Sequence, residues 1–230
     1  MRGWELSMMR SVIDFLGRIL VYLLFRIELD GLERIPASGP VIIMSNHVNF
    51  SDLCVLAVKM PRQPVALAKQ ELFSHPLLGP IVRSYGLIPI ARGEVDRTAL
   101  RRALALLAAG KHVLMIAPEG HRSYDGRLLP GRSGVAFLAV HSHAVVVPIA
   151  VLGVGPFWRN VMHLKKTSIR IAIGRPFRFE VPGSGRVGSD TLTAMTAEAM
   201  YQLALLCPPE SRGAYADVTQ ATTAHLVFQN

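Results

Sequence analysis

The sequence predicts an α/β fold with a mostly parallel central sheet flanked by helices. Two patterns indicate this fold. After residue 26, short apolar runs alternate with helical stretches, an order typical of strands and helices that build a parallel sheet. Several runs are continuous in Val, Ile and Leu, which indicates strands buried on both faces. Because the chain has 230 residues without a repeat or a linker, we predict a single domain.

An amphipathic helix is predicted to precede this domain. Arg10, Asp14 and Arg18 recur at the spacing of one helix face, and apolar residues cover most of the rest. The longest apolar run, residues 19–25, is shorter than the roughly 20 residues of a membrane span. We expect a membrane-associating helix that lies in the bilayer interface, without a cleavable signal peptide. The alternative is a helix docked on the protein's own core, and different faces can do both.

The body of the chain contains strands and helices in alternation. The predicted strands cover residues 26–30, 41–45, 65–68, 87–90, 112–117, 145–152 and 168–173. The predicted helices cover residues 52–60, 76–85, 95–109, 133–142 and 191–206. Ser51 and Asp52 suit the N-cap of the first of these helices, and Gly110 suits the C-cap of the third. We therefore divide the chain into a helix over 1–26, a main domain over 27–210 and a C-terminal tail over 211–230. From Ala214 onward this tail is expected to be loosely held.

The composition limits the kinds of partner. Half of the residues are hydrophobic, and 25 Lys and Arg against 16 Asp and Glu give a net charge of +9. A basic, apolar chain suits an anionic membrane surface, an anionic substrate or nucleic acid. Aromatic residues make up 7% and no Lys/Arg run reaches five residues, so we expect no nucleic acid partner. Two cysteines, Cys54 and Cys207, form no disulfide framework and favour a reducing, cytosolic location.

A histidine and an aspartate follow the strand at 41–45. In open α/β sheets ligands bind at the carboxyl ends of strands. His47 and Asp52 would lie about 140° apart on a helix, so a turn between strand and helix is needed to fold the carboxylate back against the imidazole. Such a carboxylate fixes the tautomer and raises the basicity of the other ring nitrogen. The pair could then take a proton from a hydroxyl; the alternative is a helix cap beside an ordinary loop residue.

Charged residues also follow three other predicted strands. Lys69 and Arg92 each end a strand, and Glu119 and Arg122 follow the strand at 112–117, where Gly120 allows a sharp turn. The carboxyl ends of parallel strands meet at one edge, so we expect these side chains to converge with the histidine and the aspartate. Three cations together suit a phosphate group, which arginine can bind in bidentate fashion.

These segments resemble the conserved blocks of a known family. Residues 46–52 resemble the NHx4D block of the glycerolipid acyltransferases, and residues 86–92, 118–123 and 147–149 resemble their other three blocks. The order and spacing agree from about residue 30 to residue 180. Within that superfamily the sequence is most similar to the 1-acylglycerol-3-phosphate acyltransferases. His121 stands where threonine is usual, which leaves the acceptor open.

The resemblance implies a membrane-associated acyltransferase, peripheral or monotopic at the cytoplasmic face, which needs no cofactor. It would move a fatty acyl group from acyl-CoA or acyl-carrier protein to the free hydroxyl of 1-acylglycerol-3-phosphate. His47 would be the general base, Asp52 would orient it, and backbone amides after His47 would stabilise the oxyanion. Glu119 would accept a hydrogen bond from the glycerol part. The phosphate would be held by three cations, Lys69, Arg92 and Arg122.

Other kinds of function are compatible with parts of the sequence. The eight histidines lack the nearby cysteines and carboxylates of a metal site, so we expect no metal. Covalent catalysis through Ser51, Ser123 or Cys54 would lack the usual G-x-S-x-G turn. A lipid-binding module without catalysis would need no base–carboxylate pair. Hydrolysis of a lysophospholipid or a thioester would use water in place of the acceptor hydroxyl.

Overall fold

The computed structural model describes residues 3–48, 50–91, 96–181 and 187–229. Within them, helices α1 to α8 span Gly3–Leu24, Phe50–Lys59, Glu71–Ser74, Leu78–Ser84, Arg97–Ala109, Gly134–Ser142, Phe157–Met162 and Ser189–Ala204. Strands β1 to β9 span Phe25–Asp30, Val41–Ser45, Pro64–Lys69, Ile88–Ile90, Val113–Ile116, Val145–Leu152, Thr167–Ile173, Phe177–Phe179 and Leu226–Phe228. The strands and helices predicted for the body of the chain are present, with ends that differ by at most two residues.

The strands of the described residues form one mostly parallel sheet. Its order is β1, β7, β6, β2, β5, β3, β4, with β8 and β9 attached beside β6. Strands β6, β2, β5, β3 and β4 are parallel, so their carboxyl ends lie at one edge, here called the carboxyl edge. Strand β7 is antiparallel to β6 and parallel to β1. Both β1 and β7 therefore begin at the carboxyl edge.

Both faces of the sheet are buried, as the continuous apolar runs predict. In β2, Val41 and Ile43 pack into one core with residues of α1 and α2. Ile42 and Met44 point the other way, into a core with residues of α5, α6 and α8. All four side chains are fully buried. A strand covered on both faces has no position that faces solvent, which is why residues 41–44 of β2 show no alternation.

Two helix starts show how local hydrogen bonds set the boundaries. Helix α5 begins after Asp96, whose carboxylate accepts hydrogen bonds from the amides of Thr98 and Ala99 at 3.0 and 2.9 Å. The predicted N-cap of α2 is wrong, because this helix already begins at Phe50. Asp52 lies in its first turn, and its carboxylate reaches back to the loop before the helix.

Helix α1 turns Arg10 and Asp14 of its polar stripe toward the protein, whereas Arg18 is exposed and most of its large apolar residues face outward. Asp14 accepts a hydrogen bond from the Tyr85 hydroxyl at 2.5 Å and lies 3.7 Å from Arg10, so the paired polar residues face the end of α4. Val21 is buried against the domain. The outward stripe consists of large apolar residues that are 40–65% exposed: Met8, Val12, Phe15, Leu16, Ile19, Leu20 and Leu23. None of the helices in the described residues is long and apolar enough to cross a membrane.

The C-terminal tail is packed, contrary to the expectation that it is loosely held. Strand β9 pairs with β8 in antiparallel fashion, and its Leu226 is buried. The buried Tyr215 accepts a hydrogen bond from the amide of Gly131 at 2.9 Å. The carboxylate of Glu198 in α8 accepts the amides of Ala224 and His225 at 3.1 and 2.9 Å. These long-range hydrogen bonds fix a segment whose local sequence is too polar to predict packing.

Candidate active site

His47 and Asp52 lie together at the carboxyl edge. His47 follows β2, and its Nδ1 atom lies 3.5 Å from Oδ2 of Asp52. The carboxylate is fully buried, whereas the imidazole remains 13% exposed. A separation of 3.5 Å is long for a hydrogen bond, but such pairs often tighten when substrate binds. Because Nδ1 faces the carboxylate, Nε2 is the ring nitrogen that can face a substrate.

The backbone of His47 is held on both sides. Its amide donates a hydrogen bond to Oε1 of Glu119 at 3.0 Å. Its carbonyl accepts one from the amide of Ser123 at 2.8 Å. The amide of Val48 in turn donates to Oδ2 of Asp52 at 2.7 Å. The imidazole is therefore carried by a loop whose position is fixed by the turn after β5 and by the first turn of α2.

Glu119, which the resemblance assigns to the glycerol part of a substrate, has both carboxylate oxygens bound to backbone amides. Its side chain is 1% exposed, and its second oxygen accepts a hydrogen bond from the amide of Leu129 at 2.9 Å. Burial raises the pKa of the Glu119 carboxyl, and the hydrogen bonds from the Leu129 and His47 amides oppose this effect. Each of the two carboxylate oxygens accepts a hydrogen bond from a different amide, so Glu119 joins the His47 loop to the segment after β5.

Asn46 is a further fixed point that the sequence did not single out. The side chain is buried, and its two polar atoms bind both backbone groups of Val151 in β6, at 3.0 and 2.8 Å. This contact joins residues that are 105 positions apart. Leaving two buried backbone groups unpaired would be costly, so Asn46 locks the exit of β2 to its neighbouring strand.

The turn after β5 places Arg122 beside the histidine loop. Gly120 has a φ angle of +77°, which side chains rarely adopt, and a Cβ atom there would lie 2.8 Å from Nε of Arg132. Arg132 is held in turn by its amide, which donates to the carbonyl of Pro118 at 2.8 Å. Arg122 is exposed and adjoins Ser123, the residue bound to the His47 carbonyl. Arg132 is a cation at this turn that sequence reasoning missed.

Two of the predicted phosphate-binding cations have other positions: Lys69 is paired with Glu71, and Arg92 lies outside the described residues. The ammonium group of Lys69 lies 3.0 Å from a carboxylate oxygen of Glu71, which neutralises its charge locally. Strand β3 is two strands away from β2, a separation of ~10 Å at the usual strand spacing. Arg92 lies outside the described residues; it follows Ala91, the residue after β4.

An open groove lies at the same edge, beyond β3 and β4. It has a volume of about 710 Å³, within the roughly 300–1,000 Å³ of sites for small ligands. Its lining residues are Gln70, Glu71, Phe73, Ser74, Arg83 and Ala91. The groove is therefore lined by residues that follow β3 and β4, and Ala91, one of them, directly precedes Arg92 in the sequence.

Two backbone amides at the turn after β2 are already engaged, whereas the amide of Asn49 lies outside the described residues. The amide of His47 binds Glu119, and the amide of Val48 binds Asp52. Neither can therefore donate to a developing oxyanion without breaking a buried hydrogen bond.

Among the described residues, no group of three or more His, Cys, Asp and Glu side chains could hold a metal ion.

Replacement of Cys54 by alanine is expected to leave turnover within about threefold of the wild type. Burial, with the nearby Asp52 carboxylate adding to it, raises the pKa of the Cys54 thiol to about 11. At pH 7 only about one thiol in ten thousand would then be a thiolate, the form that acts as a nucleophile. Steady-state kinetics of the folded variant check this. A hundredfold loss of turnover would instead indicate covalent catalysis through Cys54.

The fold agrees with comparisons to known proteins. Residues 26–152, more than half of the chain, match the family model described as Acyltransferase. The chain belongs to the acyltransferase family, as the resemblance of its sequence blocks predicts. The crystal structure of the 1-acyl-sn-glycerophosphate acyltransferase PlsC from Thermotoga maritima is similar, with a TM-score of 0.63, 23% identity, and coverage of 86% of this chain and 80% of that chain. This similarity confirms the predicted α/β domain with a mostly parallel sheet.

Two curated relatives with the same named activity are similar to this chain. A chloroplastic 1-acyl-sn-glycerol-3-phosphate acyltransferase of Arabidopsis thaliana is 31% identical over 165 residues, 69% of this chain and 45% of that protein. The 1-acyl-sn-glycerol-3-phosphate acyltransferase alpha of Homo sapiens is 31% identical over 136 residues, 58% of this chain and 48% of that protein. This chain thus spans about half the length of the curated relatives that it matches.

Proposed function

We propose that the protein transfers a fatty acyl group from a thioester to the free hydroxyl of 1-acylglycerol-3-phosphate. The donor would be acyl-CoA or acyl-carrier protein. The main support is the His47–Asp52 pair, which is held at the carboxyl edge of a domain from the acyltransferase family. The activity named for the two curated relatives supports the choice of acceptor.

In the proposed reaction, Nε2 of His47 takes the proton of the acceptor hydroxyl as that oxygen attacks the thioester carbonyl. The positive charge that forms on the imidazole is stabilised by the Asp52 carboxylate, 3.5 Å from Nδ1. The tetrahedral intermediate then expels the thiolate, which takes the proton back from His47 and leaves as a thiol. A thioester has a good leaving group, so the step requires only a positioned base and a bound acceptor.

The acceptor phosphate is proposed to bind the cations at the carboxyl edge. Arg122 is exposed beside the His47 loop, and Arg132 lies over the Gly120 turn. Arg92 follows Ala91, a residue that lines the groove, in the sequence. Since the ammonium group of Lys69 is already paired with Glu71, we assign it a peripheral role in this site.

Replacement of Arg122 by alanine is expected to raise the KM for 1-acylglycerol-3-phosphate about tenfold or more. A hydrogen bond to a charged group contributes about 1.5–3 kcal/mol, and the phosphate would lose one such partner. The KM for an acceptor without phosphate should change much less, as should both KM values in the matched variant Arg101→Ala on the exposed face of α5. Equal losses with both acceptors would show that Arg122 does not bind the phosphate.

We further propose that the protein works at a membrane surface, attached peripherally or monotopically at the cytoplasmic face through the outward stripe of α1. The stripe offers large apolar side chains to lipid, and the net charge of +9 favours anionic headgroups. The free thiols of Cys54 and Cys207 are consistent with a reducing compartment.

Replacing Val12, Phe15 and Ile19 by serine is expected to move the protein from anionic vesicles to the soluble fraction. These side chains are exposed and point away from the domain. The triple variant should therefore keep its fold, whereas deletion of residues 1–24 would remove the whole helix. Vesicle flotation measures the effect, and a soluble short-chain acceptor should restore much of the lost turnover. If the folded variant floats as well as the wild type, attachment through α1 is wrong.

A further inference from the structure

A cluster of exposed apolar side chains lies on α7 and the loop after it. Trp158, Met162 and Leu164 are 64%, 76% and 96% exposed. Single apolar residues are common on protein surfaces, but several large ones close together mark a contact site. These three residues, which neither the proposed chemistry nor the α1 attachment uses, are here called the α7 surface.

The α7 surface is fixed to the end of α1. The ring of Phe157 stacks on that of Phe25 with a centroid distance of 5.1 Å and an angle of 9°. Nζ of Lys166 donates a hydrogen bond to the carbonyl of Tyr22 at 2.8 Å and lies 4.6 Å from the centre of the Tyr22 ring. Tyr22 and Leu23 are themselves exposed. The α7 surface is therefore held next to the outward stripe of α1.

Leu164 occupies a backbone conformation that does not favour it. Its φ angle is +52°, in the left-handed region where glycine and asparagine are preferred and most other side chains are strained. With a side chain that is almost wholly exposed, Leu164 gains little from packing within the chain. A large apolar side chain at this position is explained by a contact outside the chain.

The charged residues in the chain segment that carries the α7 surface are all positive. Residues 126–179 contain no Asp or Glu. Arg159, Lys165 and Lys166 are exposed beside the three apolar residues. Apolar side chains with a tryptophan among them, surrounded by cations, match the boundary between acyl chains and anionic headgroups.

The topology places the α7 surface at the carboxyl edge. Helix α7 connects the end of β6 to the start of β7, and both of these points lie at that edge. Phe157 packs in the same core as α1 and α2, and α2 follows the His47 loop. The buried Asn46 joins that loop to Val151 of β6. The α7 surface thus lies on the edge that carries the His47–Asp52 pair.

We infer, building on the membrane attachment proposed above, that the α7 surface is a second lipid contact. It inserts Trp158, Met162 and Leu164 into the interface of an anionic bilayer. Together with the outward stripe of α1 it holds the carboxyl edge against the membrane, so that an acceptor with an acyl chain reaches His47 without leaving the lipid.

The test uses the full-length variant Trp158→Ser, Met162→Ser, Leu164→Asn, with vesicles of phosphatidylglycerol and phosphatidylcholine. Its partition onto these vesicles is expected to fall at least about tenfold. Its melting temperature should stay the same or rise, because asparagine tolerates the conformation of Leu164. In a Trp4→Phe background Trp158 is the remaining tryptophan, and its emission should shift to shorter wavelength on anionic vesicles.

The matched control is Leu205→Ser with Val227→Ser, which removes two exposed apolar residues that lie at the end of α8 and on β9. Its vesicle binding should equal that of the wild type. If the α7 variant binds as tightly as the wild type while the α1 variant does not, the α7 inference is wrong and the α1 attachment stands. An α7 variant that binds vesicles normally but loses activity with acyl-carrier protein would indicate a protein-docking surface and would also overturn it.

If the wild type does not bind anionic vesicles at all, the membrane attachment fails and the α7 inference fails with it. Turnover with 1-acylglycerol-3-phosphate in detergent micelles would still report on the proposed acyl transfer, so the two failures can be told apart.

Discussion

The His47→Ala protein is expected to fold normally and to lose between about a hundredfold and ten-thousandfold of its turnover, the usual effect of removing a positioned base. The imidazole of His47 is the group paired with the buried Asp52 carboxylate, and alanine offers no base in its place. The KM for both substrates should change much less than turnover, because His47 acts on the proton and not on the phosphate or the acyl chain.

Asp52→Asn separates the two roles of the carboxylate. The amide can keep the hydrogen bond from the Val48 amide, now 2.7 Å from Oδ2, but it carries no charge to stabilise an imidazolium. Turnover should therefore fall nearly as far as in His47→Ala, with the fold intact. His141→Ala, on the exposed end of α6, is the matched control and should retain full turnover. A His47→Ala enzyme with more than roughly a tenth of the wild-type rate would contradict the assigned mechanism.

Glu119→Ala is expected to lose both stability and turnover. Two buried amides, of His47 and Leu129, would lose their acceptor, and each hydrogen bond to a charged group contributes about 1.5–3 kcal/mol. We expect the free energy of unfolding to fall by about 3 kcal/mol or more, measured by denaturant titration. Because the His47 loop is then held on one side only, turnover per folded molecule should also fall by about a hundredfold, the usual cost of a small misplacement.

A conservative variant distinguishes positioning from simple structural support. Glu119→Gln keeps one acceptor oxygen but turns its amide group toward a backbone donor, so its stability should be intermediate. The exposed Glu210→Ala is the matched control and should change neither quantity. If the folded Glu119→Ala protein kept wild-type turnover, the carboxylate would support the fold without positioning His47.

The central strands were predictable because their burial leaves a local signature. Strands β2 and β6 are apolar at nearly every position, and the structure gives both the predicted bounds. The short helix α7 and the three-residue strands β8 and β9 have too few residues to show a period. The packing of the tail depends on partners such as Glu198, which no local pattern reveals.

The sequence predicts that His47 and Asp52 lie together, but it does not reveal the contacts that hold their loop. A carboxylate five positions from a histidine at a strand end is a local pattern, and the two side chains do lie together. The contact of Glu119 with the His47 amide joins residues 72 positions apart. From the sequence, a buried acceptor and a substrate-binding carboxylate look the same at that position. Arg132 likewise lies near the site because of the turn at Gly120, a contact that no local sequence pattern indicates.

Release of thiol from an acyl thioester, measured with and without 1-acylglycerol-3-phosphate, tests the proposed function most directly. The full-length protein would be assayed with acyl-CoA and with acyl-carrier protein, and the lipid product identified by mass spectrometry. We expect thiol release that depends on the acceptor and forms one molecule of the diacyl product for each thiol. Thiol release at the same rate without acceptor would indicate a hydrolase, and the absence of release with either donor would contradict the proposed acyl transfer.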